Sequence, residues 1–302
     1  MDRLREIETF VRIVESGSLS AAARALGRSV PTVSKELASL ERRLGARLIA
    51  RTSREQAPTP EGLRFHADAL RILADLSEAE TAVGGAARAM AGPIRITAPV
   101  AFARRFVAPA LARLSAVHPE LRPHLNPTDA IVDLVAENID LAFRYGVAGG
   151  PGLVVRRLAA NKRIIAAAPS CLAGLAPPTA PEHLANWRIL LIGSDAGRDQ
   201  TFVGPAGEQR TMHLEAHLSS TSGEVIHDWA LAGLGFEIRS WLDVADDLAA
   251  GRLVRVLPDW HVEGADLHAI FPARRHIPQR VRGVLDEVIS SLPGGGKDHP
   301  GQ

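Results

Sequence analysis

Apolar side chains recur every three or four positions in the first fifty residues, which is the spacing of amphipathic helices. One such run ends at Gly27, where a residue without Cβ can adopt the positive φ of a helix end. The next run starts after Ser29, a residue type that caps helices, and tolerates Pro31 in its first turn. The apolar positions are Leu19, Ala22, Ala23 and Leu26, then Val33, Leu37, Leu40 and Leu44. The pattern predicts two helices joined by a tight turn.

Short polar and basic side chains are left exposed at the start of the second predicted helix. Such a helix fits the major groove of DNA, where hydroxyl groups and a cation reach base edges and phosphates. A β-wing is predicted after the helix. The residues that we predict to contact DNA are Ser29, Val30, Pro31, Thr32, Ser34 and Lys35 in the helix and Arg51, Thr52 and Arg54 in the wing. The alternative is a packing helix whose domain binds a protein partner.

The distribution of charge favours DNA. Between Arg24 and Arg54 there are eight basic and two acidic residues, a balance of +6, whereas the chain of 302 residues carries only +1. A basic segment in a nearly neutral protein is typical of a surface that contacts phosphates.

A long helix is predicted from about Thr59 to Ala82, and its apolar positions alternate between spacings of four and three. These positions are Phe65, Ala69, Ile72, Leu76, Ala79 and Val83. The pattern is that of a coiled-coil seam and predicts a second copy of the chain as partner. A dimer would present two DNA-binding helices to one duplex. The alternative is that this helix packs on its own domain.

From Gly92 onward the predicted strands and helices alternate, which indicates an α/β fold with a mostly parallel sheet covered by helices. One of these helices is predicted over Ala130 to Ala136, and a second series starts near Lys162. We therefore predict a winged helix-turn-helix domain, a linker helix, a two-lobed α/β domain and a disordered tail. Their ranges are 1–58, 59–91, 92–292 and 293–302, with lobe I comprising 92–161 and 265–292 and lobe II comprising 162–264.

Ligands of open α/β lobes bind beyond the carboxyl ends of the strands, and helix N-termini there can hold anions. The residues that we predict to bind a small-molecule effector are Pro99, Val100, Ala101, Phe102, Thr128 and Arg144 in lobe I and Ser194, Thr221 and Ser222 in lobe II. Thr128 and Thr221 could instead cap helices, and Arg144 could form an ion pair between the lobes. Arg239 is a weaker candidate for the far side of the cleft.

Other function classes lack support in the sequence. His213 and His217 have the spacing of metal ligands on a helix, but apolar residues alternate with them as in a strand, so they lie too far apart to share an ion. No phosphate-binding loop or hydrolase motif occurs, and we predict no enzyme, metal or cofactor. The single cysteine, Cys171, agrees with a reducing cytoplasm. There is no apolar run of membrane-spanning length, and the charged start does not have the pattern of a signal peptide.

The chain resembles the LysR-type transcriptional regulators over almost its whole length. The resemblance in the first part is carried by Arg5 to Phe10, Ala21 to Leu26, Thr32 to Lys35, Leu44 to Leu48, Arg51-Thr52 and Thr59 to Gly62. In the second part it is carried by Ile94 to Pro99, Ile139 to Gly146, Leu231 to Gly235, Ala249 to Val254, Arg274 to His276 and Arg280 to Arg282. Glu55 and Pro58 depart from the family's wing pattern.

This resemblance implies a regulator that binds double-stranded DNA and changes its promoter binding when a small molecule occupies the cleft between two lobes. The lobes would be similar to periplasmic solute-binding proteins, and the effector would often carry a carboxylate. The resemblance also implies a homodimer formed through the linker helix, with a tetramer as the family's usual state. RNA polymerase is a further candidate partner.

Overall fold

The computed structural model describes residues 2–51, 56–84, 90–146, 149–174, 176, 178–193, 197–262, 264–273 and 277–293. The chain forms two compact units, Met1–Ala89 and Met90–Gln302. Among the described residues, no helix combines the length and the apolar character needed to cross a bilayer. The tail that we predict to be disordered lies outside these residues from position 294 onward.

The first unit contains three short helices, a two-stranded wing and one long helix. Its elements are α1 (Arg3–Ser16), α2 (Leu19–Leu26), α3 (Val30–Leu44), β1 (Ile49–Arg51), β2 (Gln56–Pro58) and α4 (Pro60–Gly84). The side chain of Ser18 caps α2 and that of Ser29 caps α3, while both helices end at a glycine in the left-handed region. The helix-turn-helix pair is confirmed, and we refer to residues 2–84 as the head.

The core of the head includes part of the helix that we predicted as a dimer seam. Ala69 of α4 is 0% exposed and belongs to the apolar cluster formed around Phe10 and Leu37. The ring of Phe65 packs against that of Phe10, with 5.6 Å between the centroids. The interpretation of Phe65 and Ala69 as seam residues is therefore wrong, because they fill the core of their own head.

The start of α4 is fastened to the residues directly before β1. Thr59 Oγ1 accepts a hydrogen bond from the Gly62 amide at 2.9 Å and donates one to the Arg47 carbonyl at 2.7 Å. A Cβ on Gly62 would overlap the carbonyl oxygen of Leu48. The sequence Thr-Pro-Glu-Gly thus combines a cap, a proline tolerated in the first turn and a close backbone approach.

The second unit contains two β-sheets, and each is the centre of one lobe. Lobe I is formed by β3 (Gly92–Ala98), α5 (Val100–Phe102), a π-helical turn (Ala103–Val107), α6 (Ala108–Val117), β4 (Leu121–Pro127), β5 (Leu141–Tyr145) and β6 (Leu153–Ala159). Lobe II contains β7 (Arg163–Ala167), α7 (Pro169–Leu172), a 3₁₀ turn (Pro181–Asn186), β8 (Ile189–Ile192), β9 (Gly197–Val203), β10 (Gln209–Glu215), β11 (Leu218–Ser220), α8 (Gly223–Leu231), β12 (Phe236–Ser240), α9 (Trp241–Ala249), β13 (Val254–Val256) and β14 (His261–Val262). The chain then returns to lobe I with β15 (Leu267–Pro272) and α10 (Gln279–Ser291).

The sheets are less parallel than we expected. In lobe I the order is β4-β3-β5-β15-β6, and β15 runs antiparallel to both of its neighbours. In lobe II the order is β10-β9-β14-β7-β12-β8-β11, with β13 also pairing with β7, and the parallel pairs among the described strands are β8 with β12 and β8 with β11. The two-lobed α/β architecture is confirmed, whereas the prediction of a mostly parallel sheet is wrong because returning segments add antiparallel strands.

Two local predictions also differ from the structure. Residues 130–136 form turns rather than a helix, since Asp133 Oδ1 accepts the amides of Val135 and Ala136 and so binds the backbone locally. His213 and His217 do not share one strand, because β10 ends at Glu215 and β11 starts at Leu218. His213 pairs with Asp199 at 2.8 Å.

Candidate functional site

The start of α3 presents the polar surface that we predicted to read DNA. Ser29 Oγ accepts the amide of Thr32 at 3.3 Å, and the two hydroxyl oxygens are 2.8 Å apart. Ser29, Pro31 and Lys35 are exposed, Val30 is 41% exposed, and Thr32 and Ser34 are half-buried. Lys35 forms no ion pair with any residue that the structure describes. This helix start is therefore an exposed patch with hydroxyl groups and one unpaired cation.

A buried carboxylate lies one turn after Thr32 on α3. Glu36 Oε2 accepts hydrogen bonds from Thr9 Oγ1 at 2.7 Å and from Arg28 at 3.2 Å. Glu36 Oε1 pairs with Arg5 Nε at 3.1 Å. These contacts join α1, the turn before α3 and α3 itself, so they fix the orientation of α3 relative to α1.

A second buried carboxylate repeats this arrangement near the end of α3. Glu6 accepts Ser39 Oγ at 2.6 Å and pairs with Arg43 at 3.0 Å. The hydrogen bond from Ser39, assisted by Arg43, outweighs burial and lowers the pKa of the Glu6 carboxyl. Arg28 and Arg43 are thus neutralised within the head, and the sequence balance of +6 overstates the charge available to DNA.

The wing is confirmed as a two-stranded ribbon. Ile49 pairs with Pro58, and Arg51 pairs with Gln56. Glu41 Oε1 of α3 accepts the amides of Leu48 and Ile49 at 2.8 and 3.2 Å and so positions the first strand. Thr52 and Arg54, together with the side chain of Arg51, lie outside the described part of the chain.

The remaining seam positions of α4 border a groove. Ile72 is 39% exposed, and Leu76 lines a groove of about 590 Å³ together with Leu4 and Leu73. The side chains of Ala79 and Val83 are not among those described. Its lining combines four apolar side chains with six charged ones from α1, its N-cap and the turn before α3.

In lobe I, only part of the predicted effector segment reaches the cleft. Phe102 is 0% exposed and packs against Phe143 at 5.5 Å between ring centroids, and Ala101 is also buried. The prediction of Phe102 as a ligand contact is wrong, because the helix turns its side chain into the core of the lobe. Pro99 and Val100 are half-buried at the helix start.

Thr128 and Arg144 form one hydrogen-bonded group within lobe I. Thr128 Oγ1 accepts the amide of Ala130 at 3.2 Å and so caps a turn rather than a helix. Arg144 donates to Thr97 Oγ1 at 2.9 Å and to the carbonyl of Thr128 at 3.3 Å. Among the described residues, Arg144 makes no ion pair to lobe II. The alternative prediction, that Arg144 forms an ion pair between the lobes, is therefore wrong for these residues. Arg144 supports the loop at the cleft edge.

Asp129, which the sequence did not single out, lies between the lobes. Its Oδ1 accepts the Val100 amide of lobe I at 3.1 Å, and its Oδ2 accepts the Gly223 amide of lobe II at 2.8 Å. We define the inter-lobe cleft as the space bounded by Val100, Asp129, Gly223, Glu224 and Arg239.

Arg239 is the most buried cation of this cleft, with 6% of its side chain exposed. It pairs with Glu224 at 3.3 Å and lies 3.8 Å from Asp243. Burial alone would lower the pKa of its guanidinium, but the surrounding carboxylates of Asp243, Glu237, Glu224 and Asp129 raise it. Arg239 therefore stays charged at the centre of an acidic group.

Asp243 links this acidic group to lobe I. Tyr145 donates its hydroxyl to Asp243 Oδ1 at 2.6 Å, and Arg105 donates to the Asp243 carbonyl at 2.6 Å. Burial raises the pKa of the Asp243 carboxyl to about 6, although Arg239 and Tyr145 oppose this shift. A further inter-lobe ion pair joins Arg104 to Glu224 at 3.0 Å.

The other predicted residues of lobe II lie at its cleft edge or outside the description. Thr221 is exposed and Ser222 is half-buried directly before α8, but Ser222 makes no side-chain cap bond. Ser194 is not among the described residues. Asp129 and Gly223 were difficult to predict as cleft residues from the sequence, because both lie in short polar turns.

A cavity of about 400 Å³, lined by other residues than the inter-lobe cleft, lies where the chain passes between the lobes. Its lining includes Arg157, Asn161, Lys162 and His268. Asp266 borders it and accepts Arg157 Nε at 2.6 Å and the Asn161 amide at 3.1 Å. Because both chain passages line this cavity, its shape depends on the angle between the lobes. The described residues contain no group of three or more metal-ligating side chains.

A winged helix-turn-helix head followed by a two-lobed α/β domain is the architecture of a DNA-binding regulator with a ligand-binding module. Residues 4–63 match the model for bacterial regulatory helix-turn-helix proteins of the lysR family, and residues 87–293 match the LysR substrate binding domain. The chain belongs to the LysR family of transcriptional regulators.

Individual relatives agree with this assignment. HTH-type transcriptional regulator DmlR of Escherichia coli strain K12 is 35% identical over 94% of this chain and 92% of DmlR. HTH-type transcriptional activator TtdR of the same strain is 35% identical over 92% of this chain and 90% of TtdR. The structure of CrgA, a LysR-type regulator from Neisseria meningitidis, superposes with a TM-score of 0.60 at 27% identity, covering 95% of this chain and 98% of CrgA.

Membership places the chain among sequence-specific DNA-binding regulators rather than enzymes. The promoter binding of such a regulator is modulated by a small-molecule effector bound between its two lobes.

Proposed function

We propose that the start of α3, with the wing, is the surface that reads the operator. The observation that carries this proposal is the separation of charge in the head, where Arg28 and Arg43 are paired internally while Lys35 is exposed and unpaired. Lys35 contacts phosphate, whereas Thr32 and Ser34 face base edges. Arg51, Thr52 and Arg54 extend this contact along the DNA backbone.

We also propose that two copies of the chain associate through α4. The support is the exposed Ile72 and the groove beside Leu76, which a second α4 would cover. The dimer presents two α3 helices to a partly two-fold operator, and association of two dimers gives a tetramer. Contact with RNA polymerase and a cytoplasmic location follow from action at a promoter.

The effector occupies the inter-lobe cleft in this proposal, contacting the helix start at Pro99 and Val100 and the loop held by Arg144. A small carboxylate fits the amide groups and arginines there. Its binding shifts the population of lobe arrangements and thereby the DNA affinity of the head.

The DNA part is tested by fluorescence anisotropy on the duplex upstream of the chain's own gene, against a scrambled duplex, over a salt series. We expect tighter binding to the native duplex and a steep fall of log K with log salt. Because the proposed dimer places two α3 helices on the duplex, Lys35→Ala should reduce the salt slope by about two units, one for each lost phosphate contact, and weaken binding to both duplexes. Arg122→Ala, an exposed arginine of β4 outside the head and its groove, is the control and should change neither. Equal binding of both duplexes by the wild-type chain would contradict sequence-specific recognition at this promoter.

A further inference from the structure

The cavity of about 400 Å³ at the two passages between the lobes has a mostly basic lining. Of its nine described lining residues, four are basic and one is acidic, and the basic ones are Arg157, Lys162, His261 and His268. The acidic residue, Asp266, accepts Arg157 Nε at 2.6 Å. Burial raises the pKa of the Asp266 carboxyl, but the hydrogen bonds from Arg157 and the Asn161 amide outweigh burial and lower that pKa. Asp266 is therefore ionised at neutral pH and its charge is balanced by Arg157.

Lys162 is the cation that this pairing does not balance. It is exposed on the first passage, directly before β7, and forms no ion pair with any residue that the structure describes. Its backbone carbonyl accepts the Trp241 amide at 3.0 Å, which holds the backbone that carries the side chain. An unbalanced cation beside a cavity attracts an anion into that cavity.

Two polar side chains of the lining also have an atom without a partner in the described part of the chain. Asn161 donates its amide group to Ser240 Oγ at 2.9 Å and to the Ala265 carbonyl at 2.8 Å, while its buried Oδ1 accepts no hydrogen bond there. His268 is 7% exposed, and its Nδ1 donates to the Asp266 carbonyl at 2.9 Å. Its Nε2 is left to accept in the neutral ring or to donate in the protonated ring. Buried atoms of this kind are costly unless a bound molecule completes their hydrogen bonds.

We propose that this cavity is a second ligand site, separate from the effector cleft, and that it takes a small phosphate monoester with free hydroxyl groups. None of the residues that define the inter-lobe cleft lines it, and its volume is in the range of small-molecule sites. The phosphate contacts Lys162 and His268, and a hydroxyl group of the same ligand donates to Asn161 Oδ1.

The arrangement of donors favours phosphate over carboxylate. The donors come from three segments, with Arg157 on β6, Lys162 on the first passage and His268 on β15. A guanidinium has five N–H donors, so Arg157 can bind an anion while its Nε is held by Asp266. A phosphate monoester offers three terminal oxygens to three such donors, whereas a carboxylate offers two.

Calorimetric titration of the full chain with glycerol 3-phosphate at constant ionic strength tests this site. Lys162→Gln removes one charged contact, and we expect it to weaken binding about tenfold. Arg156→Gln changes an exposed arginine that is next to Arg157 but does not line the cavity. It is the matched control and should leave the affinity unchanged.

The folding of each variant is checked by thermal unfolding followed by tryptophan fluorescence. All four tryptophans lie in lobe II, at Trp187, Trp229, Trp241 and Trp260, so the signal reports on lobe II without a contribution from the head. Because Lys162 is exposed, Lys162→Gln should keep the wild-type midpoint.

Weaker binding in Lys162→Gln with unchanged binding in Arg156→Gln supports the site. Equal weakening in both variants shows a general attraction to basic surface and overturns it, as does a wild-type chain that binds no glycerol 3-phosphate at millimolar concentration. Weakening in Arg144→Gln with none in Lys162→Gln locates the phosphate in the effector cleft and also overturns the proposal.

Methyl phosphate, which has no hydroxyl group, should bind the wild-type chain more weakly than glycerol 3-phosphate. Equal affinity for the two probes overturns the contact with Asn161 Oδ1. These titrations do not depend on DNA, so a failure of the proposed regulation would appear separately, in the anisotropy assay.

Discussion

The head and the inter-lobe cleft use buried charge in different places relative to the surface that functions. In the head, Glu6 and Glu36 hold arginines behind α3, and the helix start remains free of ion pairs among the described residues. In the cleft, Asp129, Glu224 and Arg239 lie on the proposed binding surface itself and are already engaged with each other or with backbone amides. The proposed DNA surface is thus held in place by contacts outside it, whereas an effector that binds in the proposed cleft would have to replace contacts that already exist. This difference suits a regulator in which a DNA-binding head is controlled by a ligand-binding domain.

The largest expected effect is that of Gly62→Ala, because its Cβ would collide with the backbone carbonyl of Leu48. A backbone atom cannot move aside cheaply, so we expect a loss of about 3 kcal/mol in the head. Hydrogen exchange of the α1–α3 amides should measure it, with Ala67→Gly as a control that costs about 1 kcal/mol through helix propensity alone. Equal effects of the two substitutions would show that α4 is not fastened to the wing as described.

Glu36→Ala tests the role of the buried Glu36 carboxylate in holding α3. It leaves Arg28 and Thr9 without their acceptor, and we expect the head to lose about 2–3 kcal/mol. Glu36→Gln keeps a hydrogen-bond acceptor for Thr9 and should cost less. Glu8→Ala removes an exposed partner of Arg28 and should cost under about 1 kcal/mol. If the unfolding of the head measured by hydrogen exchange is the same for Glu36→Ala and Glu8→Ala, the buried network does not orient α3.

Gly223→Ala is the counterpart of Gly62→Ala in the cleft. The atom that its Cβ would overlap is Arg239 Nη1, the end of a flexible side chain, so the expected loss is about 1–2 kcal/mol. Denaturant unfolding followed by tryptophan fluorescence gives the value for lobe II. Gly207→Ala is the control, because its surroundings leave open space and only its positive φ is strained. A loss at Gly223 as large as that at Gly62 would mean that the cleft is as rigid as the head.

The smallest effect concerns pH and His227, whose two ring nitrogens lie 2.8 Å from Glu237 and 3.0 Å from Asp247. Burial lowers the pKa of this imidazole, but the two carboxylates outweigh burial and raise the pKa above 6.5. The folded protein then holds a proton that the unfolded chain has lost, so stability falls as pH rises from 6.5 through the folded pKa, by at most about 1.4 kcal/mol per pH unit.

His227→Gln should flatten that slope, because glutamine bonds to the carboxylates without titrating. The measurement is the unfolding free energy of lobe II from tryptophan fluorescence between pH 6.5 and 8.5, above the value of about 6 for Asp243. His217→Gln, near an edge of the same sheet, is the control. An unchanged slope in His227→Gln would show that His227 does not carry the proton.

The sequence predicted the head better than the cleft, for a physical reason. Caps, glycine helix ends and apolar spacing are local signals, so Ser29, Gly27 and the α3 core followed from neighbouring residues. The cleft is assembled from residues far apart in the chain, and Asp129 meets Gly223 only after both lobes have formed. Phe102 shows a second cause of error, since a helix start near a cleft directs some side chains inward.

Two of the predicted seam positions, Phe65 and Ala69, and the predicted helix over 130–136 are wrong for related reasons. A spacing of four and three describes any helix face that is covered, and it does not say whether the cover is a partner or the same domain, as Ala69 shows. The turn at Asp133 shows that one side chain bound to nearby amides can prevent a helix that apolar spacing favours.

The buried pairs behind α3 also bear on how such a regulator can diverge. Thr32, Ser34 and Lys35 contribute little to the core, and the helix that carries them is oriented by the buried contacts of Glu36 and Glu6. If these side chains contact the operator as we propose, substitutions at the outer positions alter operator preference while the unfolding free energy stays nearly constant. Gene duplicates of this chain can therefore acquire new operators by a few outer substitutions, without first gaining compensating mutations in the core.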